Sequence, residues 1–259
     1  MIIDNASILL GSELTFVSQG FIIINNSGVI IKAGAGSYSK YGRIAGGKEN
    51  DSDNRLINGE GFLVVPGLIN AHTHIGDSIG KDVGVASGLD ARVHPIFGIK
   101  RSILKNTRPQ HLVSFMRNSA ISMMKKGITA FADFREGGED GVELLRYAVS
   151  DLPIKCVILG RVESYFGTKA KNSGIERVIK QKKAKVDNSL RLTLQQLENV
   201  RQVLLASDGL GLSGANENSD ESLKQYHSLV KKKIIGKALK NDCCRFMLLS
   251  RRKLSGYRD

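Results

Sequence analysis

Two of the five histidines in the chain, His72 and His74, are separated by one residue and follow the apolar stretch "LVVPGLINA". Residues i and i+2 of a β-strand point to the same face, so the two imidazoles would project side by side. Two such imidazoles can bind one divalent cation at metal–nitrogen distances of about 2.0–2.1 Å. The alternative is that both are ordinary polar residues at a strand end. The apolar stretch before them and Asp77 after them, a further oxygen ligand or support, favour metal binding.

Several other residues could contact a metal or a substrate, or could support the residues that do. Asp77 and Ser78 directly follow the histidine pair. The remaining candidates stand at the ends of later predicted strands or in a long loop: Asp133, Arg135 and Glu136 in "ADFREGG", Glu217 in "GANENS", and His94 in "ARVHPIFG". A salt-linked strand end is the structural alternative for the three residues of "ADFREGG". Spacing alone assigns no role to any of these residues.

The first part of the chain predicts short strands. "FIIINNSGVIIKAG" has the pattern of a β-hairpin, two β-branched runs around a turn. Residues 34–53 predict a surface loop because Gly, Ser, Asn and Lys dominate them. The continuous apolar run in "GFLVVPGLINAHTH" predicts a strand that is buried on both faces of a parallel sheet. Residues 75–108 show little periodicity and predict a long loop, functional or disordered.

Strands and helices alternate in the rest of the chain. The predicted elements are a helix at 109–127, a strand "ITAFADF", a helix "GVELLRYAVSD", a strand "IKCVILGRV", a helical region from about 174 to 207, a strand "GLGLSG" and a helix "NSDESLKQYHSLVKKK". Asn218 and Glu221 have the spacing of a capping box for the last helix. This alternation predicts an α/β fold with a parallel sheet. No G-x-G-x-x-G turn supports a dinucleotide fold, whereas polar residues at the carboxyl end of an apolar strand favour a barrel.

The stretch "VVPGLINAHTH" resembles the signature of the amidohydrolase superfamily, a P-G-x-x-x-x-H-x-H sequence on the first strand of a (β/α)8 barrel. "HTHIGDS", "GITAFADFREGG" and "GLGLSGANENSDESL" are similar to deaminase- and chlorohydrolase-like members. The resemblance implies a partial (β/α)8 TIM-type barrel at 61–235, preceded by a small β-sandwich segment at 1–60. It also implies a metal-dependent hydrolase that acts on non-peptide carbon–nitrogen bonds of a small-molecule substrate through metal-activated water.

By the same resemblance, His72 and His74 are the first two ligands of a divalent ion, Zn²⁺ or alternatively Fe²⁺. The family pattern adds a histidine on strand 5 and an aspartate on strand 8. Some relatives bridge two metals with a lysine on strand 4, but "GLGLSG" has no lysine, so a mononuclear site is expected. No histidine follows His227, which lies in a predicted helix. The competing hypothesis is therefore a truncated fragment without catalytic activity.

The net charge of +13 is concentrated at one end of the chain, since residues 224–259 contain eleven Lys and Arg against two Asp. We interpret 236–259 as a basic tail unlike the family, such as a frameshift or a premature end would produce. A third hypothesis is a basic nucleic-acid-binding protein. No organised motif in the tail supports it, so we expect no specific nucleic-acid partner.

Other features bound the class of protein. No apolar stretch reaches the roughly 18 residues of a membrane span, so we expect no membrane contact. The three cysteines, Cys156, Cys243 and Cys244, are too few and too unevenly placed for a disulfide framework, which favours a cytoplasmic location. Half a barrel would leave two sheet edges exposed, which an oligomer could cover.

Overall fold

A computed structural model describes residues 1–40, 55–84, 88, 91–92, 98–162, 189, 191–212, 218–238 and 247–249. The chain divides into two compact units, Met1–Gly67 and Leu68–Asp259. No helix among the described residues combines the length and the apolar character needed to cross a membrane.

The first unit is built on one β-sheet. Its strands are β1 (Ile2–Leu10), β2 (Thr15–Ile24), β3 (Ile30–Ala35), β4 (Leu56–Asn58) and β5 (Leu63–Val64). Antiparallel pairs join β1 to β2 and β2 to β3, while β4 and β5 both pair with β1 in parallel. The predicted hairpin is confirmed. Its turn is closed by the Asn25 side chain, whose Oδ1 accepts hydrogen bonds from the backbone N–H groups of Ser27 and Val29.

The second unit contains a parallel sheet with helices between its strands, in the order β10-β9-β8-β7-β6. Its elements are β6 (Leu68–Thr73), a 3-10 helix (Ile75–Gly80), α1 (Ile99–Asn106), α2 (Pro109–Lys125), β7 (Ile128–Arg135), α3 (Gly138–Val149), β8 (Lys155–Gly160), α4 (Leu194–Ala206), β9 (Gly209–Leu212), α5 (Asp220–Ala238) and β10 (Met247–Leu249). The predicted α/β class is confirmed, and so are the strand and helix assignments from residue 109 to residue 160. The tail contributes the fifth strand, β10.

Local sequence explains where the helices begin and end. Pro109 occupies the first turn of α2, where its missing N–H costs nothing, and Gly127 follows the helix with a φ of 78° that favours glycine. A capping box formed by Thr193 and Gln196 begins α4. The predicted cap of α5 is wrong by one residue, because Ser219 rather than Asn218 accepts the hydrogen bond from the Ser222 N–H.

The core of the second unit lies between the sheet and its helices. One cluster joins α2, α3, β7 and β8 through residues that include Met116, Phe131, Val142, Leu145 and Ile158. A second cluster joins α4, β9 and α5 through residues that include Val200, Val203, Leu204, Leu210 and Tyr226. This packing fixes the strands whose carboxyl ends carry the candidate site.

The prediction of one buried strand across "GFLVVPGLINAHTH" is wrong in two respects. The chain breaks at Pro66-Gly67, so that β5 joins the first sheet and β6 joins the second. Leu68 is 59% exposed and Ile69 is 73% exposed. Within the described residues β6 is hydrogen-bonded to β7 alone, so this apolar strand forms an edge of the sheet.

The segment 75–108 is more regular than its sequence indicated, because it contains the 3-10 helix and α1. Parts of the predicted surface loop and of the predicted helical region from residue 174 lie outside the described residues, as do Cys243 and Cys244.

We expect the stability of the second unit to fall above pH 10 because of Tyr226. Burial raises the pKa of this phenol to about 12. The unfolded chain therefore releases the proton first as the pH rises, and the folded state loses about 1.4 kcal/mol of stability by pH 11. Urea unfolding at pH 8 and pH 11 should show this loss in the wild type and a smaller loss in Tyr226→Phe. The control is Tyr147→Phe, at a position 73% exposed, which should behave like the wild type.

Candidate metal centre

The side chains of His72 and His74 converge at the end of β6. Their Nε2 atoms lie 3.3 Å apart. Two nitrogen ligands at zinc distances and at the tetrahedral angle would be separated by about 3.3 Å. The pair therefore has the spacing that one metal ion requires, as the i and i+2 positions predicted.

The orientation of the His74 ring is set from its other nitrogen. His74 Nδ1 lies 3.1 Å from the carbonyl oxygen of Phe134 and 3.2 Å from Oε1 of Glu136. Both neighbours are acceptors, so Nδ1 carries the proton and donates it to them. The lone pair is then on Nε2, the atom that faces His72, which is the tautomer a metal ligand needs.

The His72 ring is held by stacking. It lies on the Phe134 ring with a centroid distance of 4.3 Å and an interplanar angle of 20°. Partial burial lowers the pKa of His72, and the electrostatic influence of His74, Arg161 and Lys100 lowers it further. The neutral imidazole is the form that binds a metal, so this environment favours a competent ligand.

Glu136 is the acidic residue that contacts His74, Lys100 and Arg161 in the site. Its Oε1 lies 2.7 Å from Lys100 Nζ and 2.9 Å from Arg161 Nη1, in addition to the contact with His74. Burial alone would raise the pKa of Glu136. The hydrogen bond from His74 and the charges of Lys100 and Arg161 outweigh burial and hold this pKa well below its usual range. Glu136 is therefore a carboxylate at neutral pH.

Asp133 supports the backbone on both sides of His74 from the opposite face of β7. Its Oδ2 accepts hydrogen bonds from Thr73 Oγ1 at 2.8 Å and from the Ile75 N–H at 2.7 Å. The side chain is fully buried, and burial raises its pKa despite these hydrogen bonds.

Arg135 lies on the same face of β7 as Asp133, because alternate residues of a strand share a face. It is 2% exposed, and its Nε donates to the Gly141 carbonyl oxygen at 3.1 Å. A Cβ at Gly76 would lie 1.3 Å from Arg135 Nη1, so the chain passes directly over the guanidinium. Arg135 thus packs beneath the 3-10 helix and against α3, away from the imidazoles.

A cleft of about 360 Å³ adjoins His74. Its lining residues are His74, Asp77, Ser78, Gly80, Lys81, Val83, Arg92, Ile99, Lys100 and Ile103. Asp77 is paired with Lys100 at 2.9 Å, and the buried Ser78 Oγ has no hydrogen-bond partner among the described residues. We call this space the cleft.

The structure thus brings His72, His74, Asp77, Ser78 and Glu136 to one end of the sheet. His94 and Glu217 lie outside the described residues. Within the described ranges no group of three His, Cys, Asp or Glu residues could hold a metal ion. The two histidines are therefore the ligand pair that the described part of the chain offers.

Three contributors were missed by sequence reasoning. Arg161 follows β8 directly, so the strand-end argument applied to "ADFREGG" could have found it. Phe134 carries no chemical signal beyond its place in an apolar strand. Lys100 comes from a segment without periodicity, and only the tertiary fold brings it to Glu136.

The sequence pattern described as "Amidohydrolase family" matches residues 63–236. The chain belongs to the amidohydrolase family. It is 36% identical over 222 residues to a putative aminohydrolase of Methanothermobacter thermautotrophicus, covering 86% of this chain and 48% of that protein. It is 31% identical over 138 residues to a 5-methylthioadenosine/S-adenosylhomocysteine deaminase of Clostridium tetani, covering 51% of this chain and 28% of that protein.

Solved structures support the same amidohydrolase fold. The zinc complex of atrazine chlorohydrolase from Arthrobacter aurescens superposes with a TM-score of 0.59 at 15% identity, covering 90% of this chain and 51% of that one. Guanine deaminase from E. coli gives a TM-score of 0.53 at 14% identity, covering 88% and 58%. The predicted partial barrel is thus confirmed. The chain spans about half the length of two curated relatives that it matches, 48% of one and 42% of the other.

We expect Gly76→Ala to destabilise this chain. The new Cβ would displace the Arg135 guanidinium, and overpacking of this kind costs about 1–3 kcal/mol. Chemical denaturation should show the loss. Gly88→Ala is the control, because a Cβ there meets no atom of the described residues within 4 Å. Equal stability of the two variants would contradict the assignment of Gly76 as a steric requirement.

Glu136→Gln should weaken metal binding without unfolding the protein. The variant keeps the shape of the side chain but loses the charge that holds His74 and the two cations. Loss of such a supporting partner costs about 10–100-fold in metal affinity. Zinc titration against a competing chelator measures the change. Glu143→Gln on the exposed face of α3 is the matched control, and an affinity that is equal in both variants would exclude this role for Glu136.

Proposed function

We propose that this chain is the metal-binding part of a metal-dependent hydrolase that acts on a carbon–nitrogen bond of a small molecule, as deaminases do. The observation that carries the proposal is the 3.3 Å separation of the two Nε2 atoms. The family membership and the deaminase names among the relatives support it. A chlorohydrolase-type reaction is the nearest variant, supported by the structural neighbours.

His72 and His74 would hold the divalent ion, Zn²⁺ in the first instance and Fe²⁺ as the alternative. When bound, the ion would supply a Lewis acid that activates water near neutral pH. The residues of the chain keep His74 in the tautomer that a ligand needs, keep His72 neutral, and place the His74 ring beside the cleft. Asp77, Ser78 and Glu136 are the described residues that we propose to contact or support the substrate.

A second candidate is a chain that binds metal but does not hydrolyse a substrate. It is favoured by the lack of a third metal-binding side chain near the pair within the described part of the chain. We also retain as proposals the segments 1–60, 61–235 and 236–259, a cytoplasmic location, and an oligomer that covers the sheet edges. We do not propose nucleic-acid binding.

Metal analysis and mutagenesis test the proposal. We expect about one equivalent of zinc or iron per chain and an affinity that falls by more than about 100-fold in His72→Ala or His74→Ala, because each removes a ligand rather than its support. His111→Ala, on the exposed side of α2, is the control and should bind as the wild type does. Equal affinity in all three variants would refute the site.

Hydrolytic turnover separates the two candidates. Deamination or dechlorination of a panel of small heterocycles, dependent on added metal and lost in His72→Ala, would support the hydrolase. Metal binding with no turnover on the panel would favour the inactive alternative.

A further inference from the structure

We propose that the cleft binds an anionic group of the substrate, a carboxylate or a phosphate. The inference rests on the proposed function, since it describes the molecule that would reach the histidine pair. His74 belongs to the lining, so a ligand in the cleft would lie beside the candidate metal centre. The volume of about 360 Å³ is near the lower end of small-molecule pockets.

The charges around the cleft are unbalanced. Lys100 is neutralised, because its Nζ lies 2.9 Å from Asp77 Oδ2 and 2.7 Å from Glu136 Oε1. Lys81 and Arg92 also line the cleft, and in the part of the chain that the structure describes no carboxylate pairs with either. Two positive charges are therefore left without a partner at one concave surface.

A concave surface of one charge sign concentrates its potential and attracts the opposite charge. A neutral ligand would displace part of the water around both exposed cations without replacing its hydrogen bonds, which is unfavourable. An anionic group would instead accept charge-assisted hydrogen bonds from them. The Ser78 hydroxyl, buried and without a partner among the described residues, could add another donor.

The apolar part of the cleft lining suits the uncharged part of such a ligand. Val83, Ile99 and Ile103 present apolar side chains to the same space. The chemistry that fits is a small molecule with an apolar or aromatic body and one anionic group. This combination distinguishes the cleft from an ordinary solvated patch of lysines, which has neither a concave shape nor apolar walls.

Binding of matched probes tests the inference without activity. Benzoate, phenyl phosphate and the neutral benzamide are titrated into the full 259-residue chain in the presence of a chelator and at low salt. We expect at least one of the anions to bind about tenfold more tightly than benzamide, the value of one charge-assisted hydrogen bond. Comparison of the two anions tells a carboxylate site from a phosphate site. Benzamide binding as tightly as both anions would overturn the inference.

Charge reversal locates the binding. The double variant Lys81→Glu/Arg92→Glu should lose the preference for anions. The control Lys125→Glu/Lys155→Glu changes the net charge equally at exposed positions near the amino ends of β7 and β8, and should keep it. Equal loss in both variants would overturn the inference, since binding would then follow net charge alone. Circular dichroism shows whether the charge-reversal variant is folded. If it is not, Lys81→Gln/Arg92→Gln replaces it in the test, and this variant should also lose the preference for anions.

Zinc titration of the same proteins keeps this inference separate from the proposed function. Zinc binding that persists in Lys81→Glu/Arg92→Glu while anion binding is lost supports a distinct anionic subsite. Failure of the wild type to bind zinc would refute the proposed metal site, whereas failure to prefer anions would refute the subsite alone.

Discussion

The described site depends on the contacts that the largely buried carboxylate of Glu136 makes with its neighbours. The carboxylate joins the ends of three strands and one helix, because His74 follows β6, Arg161 follows β8, Lys100 belongs to α1 and Glu136 itself follows β7. A carboxylate removed from water without partners would cost several kcal/mol. Two cations and the imidazole N–H offset that cost. Because these partners come from different elements, their contacts with Glu136 fix the strand ends relative to each other. The position of His74 is therefore a property of the whole sheet end rather than of its own loop.

Both faces of β7 contribute to the same histidine. Phe134 and Glu136 meet the imidazoles directly, while Asp133 on the opposite face binds Thr73 and Ile75. His74 is thus restrained at its ring by one carboxylate and at its flanking backbone by another. The pKa values of the two carboxyl groups are shifted in opposite directions for physical reasons. Nearby cations keep Glu136 ionised, whereas burial among apolar residues raises the pKa of Asp133. The dense run of charges in "ADFREGG" is explained by this division of roles.

Much of the fold and the centre of the site could be predicted from the sequence, because both depend on short periodicities. Alternation of strands and helices gave the α/β class, and the i and i+2 spacing placed His72 and His74 on one face. The roles of Asp133, Arg135 and Glu136 could not be separated, since that requires the face of β7 that meets the helices. The exposure of Leu68 and Ile69 was also unpredictable, because an apolar run does not reveal whether a strand has a neighbour on each side. Lys100 was missed for a related reason, as its contact spans segments distant in sequence.

The charges of the site link the two proposals physically. A divalent ion at the histidine pair would add positive charge to a region that already contains four cationic side chains, Lys81, Arg92, Lys100 and Arg161. The described carboxylates in the same region are those of Asp77 and Glu136. Lys100 and Arg161 are already engaged by those carboxylates, so the additional charge of the ion would be uncompensated. An anion in the cleft would reduce this repulsion and thereby favour the ion. Linkage requires the reverse as well, so the ion would strengthen binding of the anion by the same factor. A substrate with an anionic group would then strengthen metal binding as it binds, and a neutral analogue would not.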